Sequence, residues 1–148
     1  MNKPAYHPSR FFHWTEINVR FRDIDALNHV NNAVFNTYFE EARVRFIQDI
    51  PGFMKSMEDR HSFVLVRIEV DYIRPIFLTE TVLIGSSIVE YGNTSIKGFQ
   101  SIYSKETKEL KAMARSTGVW FNLASQRPAK LPEIRNRDQY LYKNEING

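Results

Sequence analysis

A chain of 148 residues with 43% hydrophobic residues is long enough to bury one core and too short for two domains. It contains no cysteine, which excludes disulfides, thiolate metal sites and a thiol nucleophile, and suits a reducing compartment; a cytoplasmic location is expected. The formal net charge of +3 is spread along the chain, unlike the basic stripe of a nucleic-acid binder, and the apolar runs are strand-sized, so neither membrane insertion nor a secretory signal is expected.

Residues 1–13 carry prolines at 4 and 8 and read as an N-terminal arm. From Thr15 the pattern changes: Thr15, Ile17, Val19 and Phe21 alternate with Glu16, Asn18, Arg20 and Arg22, the period-two signature of a half-buried strand. Residues 23–28 hold two Asp and an Asn with no periodic continuation, as in a loop. From about Asn31 the apolar positions Val34, Phe35, Tyr38, Phe39, Ala42, Phe46, Ile47 and Ile50 recur at three- and four-residue steps. This predicts one long amphipathic helix, stopped by Pro51-Gly52. After an irregular stretch, residues 63–72, 81–91, 95–103 and 110–123 are rich in Val, Ile, Thr, Tyr and Phe and read as four strands. Gly92-Asn93 marks a hairpin, residues 105–109 a second polar turn, and Arg74-Pro75 breaks the second strand from the third. Residues 132–148 open with proline and read as a tail or a short helix.

The order strand, helix, four strands describes an α+β domain, an antiparallel five-stranded sheet with one helix on its concave face. Such a sheet has open edges, and pairing of two copies through one of them is a common remedy. If the inward parity of Ile17, Val19 and Phe21 continues through Asp23, Asp25 faces the core just ahead of the helix. A carboxylate there can activate water or attack a carbonyl directly; it can equally close an Asx turn. The first amides of the helix present unpaired N–H donors suited to an oxyanion. His7, His13, His29 and His61 are scattered without ligand spacing, so no metal and no other cofactor are expected.

The segment VRFRDIDALNHVNNAVFNTYFEEARVR, residues 19–45, is the specific part of the sequence. A strand running into D-x-D, then H-V-N-N, then an aromatic helix ending in Y-F-E-E-A-R resembles the hotdog-fold acyl-CoA thioesterases, in the 4-hydroxybenzoyl-CoA thioesterase-like branch. DYIRPIF at 71–77 and LASQRPAKLP at 123–132 extend the resemblance over nearly the whole chain. The resemblance implies a curved sheet wrapped around a central helix, hydrolysis of an acyl thioester, and assembly as a homodimer or homotetramer. It implies Asp25 as general base or nucleophile, the amide near Asn32 as carbonyl polariser, and His29 as a catalytic or loop-ordering residue. It places the pantetheine and nucleotide of the substrate near Asn93, Thr94, Ser95 and Lys97, with Arg127 behind them. Asn28 stands where relatives often have Gly, which asks for a left-handed turn.

Hotdog dehydratases and hydratases are the nearest rivals, but their motifs H-F-P-x-x-P-x-M-P-G and D-x-N-P-x-H are missing. An acyl carrier protein thioester as substrate, and a non-catalytic acyl-thioester binding protein, are the alternatives that remain.

Overall fold

The computed structural model describes residues 3–145, so residues 1–2 of the arm and 146–148 of the tail lie outside the described residues. The first alternating segment forms β1 (His13–Asn18), which ends before its alternation does. The cause is Asp23, whose carboxylate accepts the Arg20 amide at 3.0 Å and draws residues 21–23 into a 3-10 turn. Phe21 is thereby turned into solvent at 84% exposure. Inward parity stops at Val19, and the expectation that it continues through Phe21 to Asp25 is corrected: Asp23 is the buried carboxylate.

The long helix is α1 (Asn32–Gln48), capped by the Asn31 side chain, which accepts from the Ala33 amide at 2.9 Å. It buries Phe35, Tyr38, Phe39, Ala42 and Phe46. Pro51 ends this helix but also opens another, α2 (Pro51–Met57), as its first residue. The stretch expected to be irregular is therefore partly helical. Seven residues with one buried apolar side chain, Phe53, carry no readable period. Phe53 packs edge-on to Phe63 and tilted against Trp120, at 4.9 and 5.3 Å between rings.

The expected strands are β2 (His61–Tyr72), β3 (Thr81–Tyr91), β4 (Ser95–Ser104) and β5 (Leu110–Asn122), and a two-residue β6 (Arg127–Pro128) adds to β5. All pairs are antiparallel, in the order β1-β3-β4-β5-β2. Tight turns join β3 to β4 and β4 to β5, closed by Gly92 N–H to Ser95 C=O at 2.7 Å and Ser104 N–H to Glu109 C=O at 2.9 Å. The longer link from β2 to β3 carries β2 to the far edge. Lys111 pins that link, donating to Pro75 C=O at 3.1 Å and pairing with Glu80 at 3.0 Å. The tail forms a short 3-10 turn, residues Arg137–Tyr140, where a helix was an option.

The concave face of the sheet closes on α1 through Val82, Ile84, Ile102, Ala112 and Ala114. This is the hotdog arrangement that the motif implies. The convex face is covered by the arm, which is packed rather than loose: Phe11 stacks on Phe99 at 5.8 Å and touches Tyr142 at 5.1 Å. A Cβ at Gly85 would meet the Phe11 ring at 2.4 Å, which explains why no side chain stands there. Among the described residues no helix is long and apolar enough to cross a membrane.

Candidate active site

The loop between β1 and α1 is built on Asp23. Its carboxylate, 2% exposed, accepts from the Tyr38 hydroxyl at 2.6 Å and from the Arg20 guanidinium at 3.0 Å, while its backbone C=O accepts the Asn31 amide at 2.9 Å. Burial pushes the Asp23 carboxyl up, but the bonds from Arg20 and Tyr38 outweigh it and hold the group below its ordinary range. Burial and the same carboxylate push the Tyr38 hydroxyl well up, so it remains a donor. The loop is thus tied to the strand on one side and to the helix on the other.

On this base sits Asp25, half-buried. Its Oδ1 accepts the Leu27 amide at 2.9 Å and the His29 amide at 3.4 Å, an Asx turn, while its backbone N–H donates to His29 C=O at 2.9 Å. Asn28 takes the left-handed conformation within this turn, φ 63°, as its position asks. Among the described residues Oδ2 of Asp25 takes no hydrogen bond. The turn and a chemical role therefore coexist: one oxygen fixes the carboxylate and the other is open.

Asn32 is the first residue of α1. The next two amides are satisfied, Ala33 by the Asn31 side chain and Val34 by Asn31 C=O at 2.8 Å, and the Asn32 N–H has no acceptor among the described residues. Tyr72, at the end of β2, donates to Asn32 C=O at 3.3 Å; only its place at a strand end signalled it in the sequence. His29 bridges by its backbone to Phe77, and its ring lies edge-on to Phe77 at 5.1 Å. That ring makes no hydrogen bond to Asp25. Asp25 and His29 are joined by hydrogen bonds within the loop, and Asn32 opens the helix into which that loop runs.

The second group of candidates lies elsewhere. Asn18 at the end of β1 pairs with Thr81 at the start of β3, whereas Asn93, Thr94 and Ser95 follow the end of β3. Eleven extended residues separate the two ends, roughly 35 Å. Asn93 C=O accepts the Leu131 amide at 3.0 Å and Thr94 C=O the Trp120 amide at 2.7 Å, so the hairpin adjoins the segment after β5 where exposed Arg127 pairs with Asn122. Lys97 is exposed and paired with Glu90 at 3.4 Å. One chain does not bring these residues to Asp25.

Between the flank of α1 and the start of β2 lies a cavity of about 480 Å³. Arg43 and Ile47 form one wall, Phe63 and Leu65 the other, and Ser86, Gln100 and Ser116 the floor. Sequence reasoning did not find Gln100, which reads as one more polar residue on a strand. Among the described residues no group of three or more His, Asp or Glu side chains is placed to hold a metal ion.

This fold matches known proteins over most of the chain. The profile of the thioesterase-like superfamily matches residues 19–136, and the chain belongs to that family, as a thioester hydrolase. It is 37% identical to a thioesterase of Thermus thermophilus solved with coenzyme A and zinc, with a TM-score of 0.74 over 88% of this chain and 92% of that one. The probable thioesterase YbaW of Escherichia coli superposes with a TM-score of 0.76 at 29% identity, over 88% and 98% of the two chains. The long-chain acyl-CoA thioesterase FadM of Escherichia coli K12 is 29% identical over 130 residues, 87% of this chain and 98% of that one.

Proposed function

We propose that this chain is an acyl-CoA thioesterase, hydrolysing a long-chain acyl-CoA to the free acid and coenzyme A in the cytoplasm. The observation that carries the reading is the open Oδ2 of Asp25 on the loop that ends at the unpaired Asn32 amide. A thioester carbonyl oxygen accepts from the Asn32 N–H as negative charge develops on it, helped by the positive end of α1. Asp25 then either takes a proton from an attacking water or attacks the carbonyl carbon itself, giving an anhydride that water opens. In both routes the C–S bond breaks and the thiolate leaves to be protonated. His29, held against Phe77, shapes the wall of the same junction. The substrate class draws support from the name of FadM and from the coenzyme A bound to the Thermus relative.

The reading includes a dimer paired antiparallel through β2. This edge exposes three consecutive apolar residues, Val64, Leu65 and Val66, the last at 59%. Antiparallel two-fold pairing sets the His61 end of one β2 beside the Tyr72 end of the other, and so carries the β3–β4 hairpin of one copy toward the Asp25 loop of its partner. Asn93, Thr94, Ser95, Lys97 and Arg127 then contact the pantetheine and phosphates from across the interface. A panel of short, medium, long and aromatic acyl-CoAs, with matching acyl carrier protein thioesters, tests the reading by thiol release. Turnover greatest with long acyl-CoA supports it; no turnover with any thioester refutes it.

A further inference from the structure

Arg43 is set into the cavity between α1 and β2, and we infer that it binds a carboxylate at the far end of the acyl group, making ω-carboxyacyl thioesters the preferred substrates. The inference rests on the thioesterase reading and names the substrate class of its site.

Apart from Arg43 and its neighbours Glu40 and Gln48, the walls of the cavity are apolar, from Val44, Ile47, Phe63 and Leu65, as an acyl chain requires. Its floor is not. The Gln100 amide nitrogen donates to Phe39 C=O at 3.1 Å and to the Ser86 hydroxyl at 2.9 Å, so both of its hydrogens are committed. This leaves Oε1 of Gln100 facing Arg43, which donates to it from Nη1 at 3.4 Å. Gln100 is 2% exposed, and this buried network aims the guanidinium into the cavity rather than out to water.

The guanidinium has five N–H donors and this contact uses one. Among the described residues no carboxylate lies within ion-pair distance of it; Glu40, one helical turn away, lines the same cavity and its charge only partly offsets the burial of the guanidinium. Burial accordingly holds Arg43 below its ordinary range. A half-buried cation without a partner is a costly feature of an acyl pocket whose ligand ends in methyl. It is a matched one for a ligand that ends in a carboxylate, which takes two parallel N–H bonds from one guanidinium.

The cavity begins at Glu40, two helical turns along α1 from Asn32, on the flank that an acyl chain leaving the Asn32 amide would follow. Asn32, Asn36, Glu40, Arg43 and Ile47 form one stripe along α1 at helical spacing, and β2 runs beside it from Phe63 to Tyr72. Arg43 stands eleven residues beyond Asn32, roughly 16 Å along the helix axis, which is the reach of a long acyl chain.

The test compares acyl-CoAs of equal chain length ending in methyl or in carboxylate, on the full-length protein and on Arg43→Met and Arg43→Lys, with melts and light scattering to confirm folded dimers. The ratio of kcat/KM, carboxylate over methyl, is expected above one for the protein, lower by about 10- to 100-fold in Arg43→Met, and intermediate in Arg43→Lys, which keeps the charge without the fork. Calorimetry with free long-chain dicarboxylic acids is read alongside and should show binding that Arg43→Met abolishes. A ratio below one, or one that Arg43→Met leaves unchanged, overturns the inference while methyl-ended turnover leaves the thioesterase reading standing. If no thioester turns over, that reading falls and calorimetry alone decides the cavity: diacid binding lost in Arg43→Met upholds it, and no binding overturns it.

Discussion

The loop at residues 19–31 and the hairpin at residues 91–95 are both turns at an end of the same sheet, yet they are built in opposite ways. The loop rests on buried Asp23, which gathers Arg20 and Tyr38 by its carboxylate and Asn31 by its backbone carbonyl, and it carries one open carboxylate oxygen and, where it enters the helix, one open amide. The hairpin is closed by backbone bonds and by the Tyr91 hydroxyl donating to Arg137 C=O at 2.9 Å, with the Arg137 guanidinium over the Tyr91 ring, and Lys97 beyond it is paired with Glu90 in solvent. Bond-making chemistry needs groups fixed to a fraction of an ångström, and buried polar anchors supply that. Holding a phosphate needs charge in roughly the right place. With roughly 35 Å between the two turns, the proposed reading, in which one substrate reaches both, requires two copies.

The largest effect belongs to Asp25. Asp25→Asn keeps an oxygen for the Leu27 and His29 amides, so the Asx turn and the melting temperature should survive. Turnover should fall by about two to four orders of magnitude, because the base or nucleophile is gone. Thiol release from a long-chain acyl-CoA measures this, and near-normal turnover in the folded variant would reduce Asp25 to a turn residue. The next effect tests whether the two turns work across an interface. Val64→Glu with Val66→Lys places charges on the β2 edge without touching the cavity walls, and light scattering should then give a monomeric mass with kcat/KM down by at least about tenfold. A monomer with full activity would separate the turns for good.

How far the sequence carried the fold and site follows from which signals are local. The four later strands appear almost where the pattern put them, because alternation and turn residues are short-range features. The path of β2 to the far edge is not local. It depends on which turns are tight, and no residue within β2 announces it. Asp25, His29 and Asn32 share one loop and the helix start it runs into because they are close in sequence, but the parity argument for Asp25 fails: a bond from the Arg20 amide to the Asp23 side chain ended the strand early, and alternation is blind to that. Arg43 was visible only as part of a helical motif, since its role depends on Gln100, 57 positions away.

Asp23 supplies a sharper comparison within the loop itself. Asp23→Asn removes the charge that three donors address, and should cost about 2 kcal/mol of stability at neutral pH. Because the folded state holds this carboxyl below its ordinary range, its contribution is complete above the range of a free carboxylate and is lost as pH falls through the lower folded value. The gap in melting temperature between the protein and Asp23→Asn should therefore close on acidification. Turnover should fall roughly tenfold less than in Asp25→Asn, through displacement of the loop. A gap that is constant with pH would mean that the loop is held by shape and not by charge.

The smallest effect tests the hairpin. If Lys97 and Arg127 meet the phosphates of coenzyme A from the second copy, each contact is exposed and worth little, so Lys97→Ala and Arg127→Ala should each lower kcat/KM by about fivefold at most, through KM. Glu90 complicates the first variant, because removing Lys97 leaves an unpaired carboxylate near the same phosphates. Lys97→Ala with Glu90→Ala separates the two effects: if the phosphates meet Lys97, KM stays raised in the double variant, and if only the freed Glu90 repels them, KM returns to that of the unaltered protein. Salt gives the second discrimination. At about 0.1 M ionic strength, charges more than about 10 Å apart are largely screened, so the losses should shrink as salt rises, whereas the loss in Asp25→Asn should not. Steady-state thiol release at low and high salt measures both. Unchanged KM at low salt in both single variants would remove the phosphates from the hairpin, and with them the geometric reason for setting this turn beside a partner's Asp25.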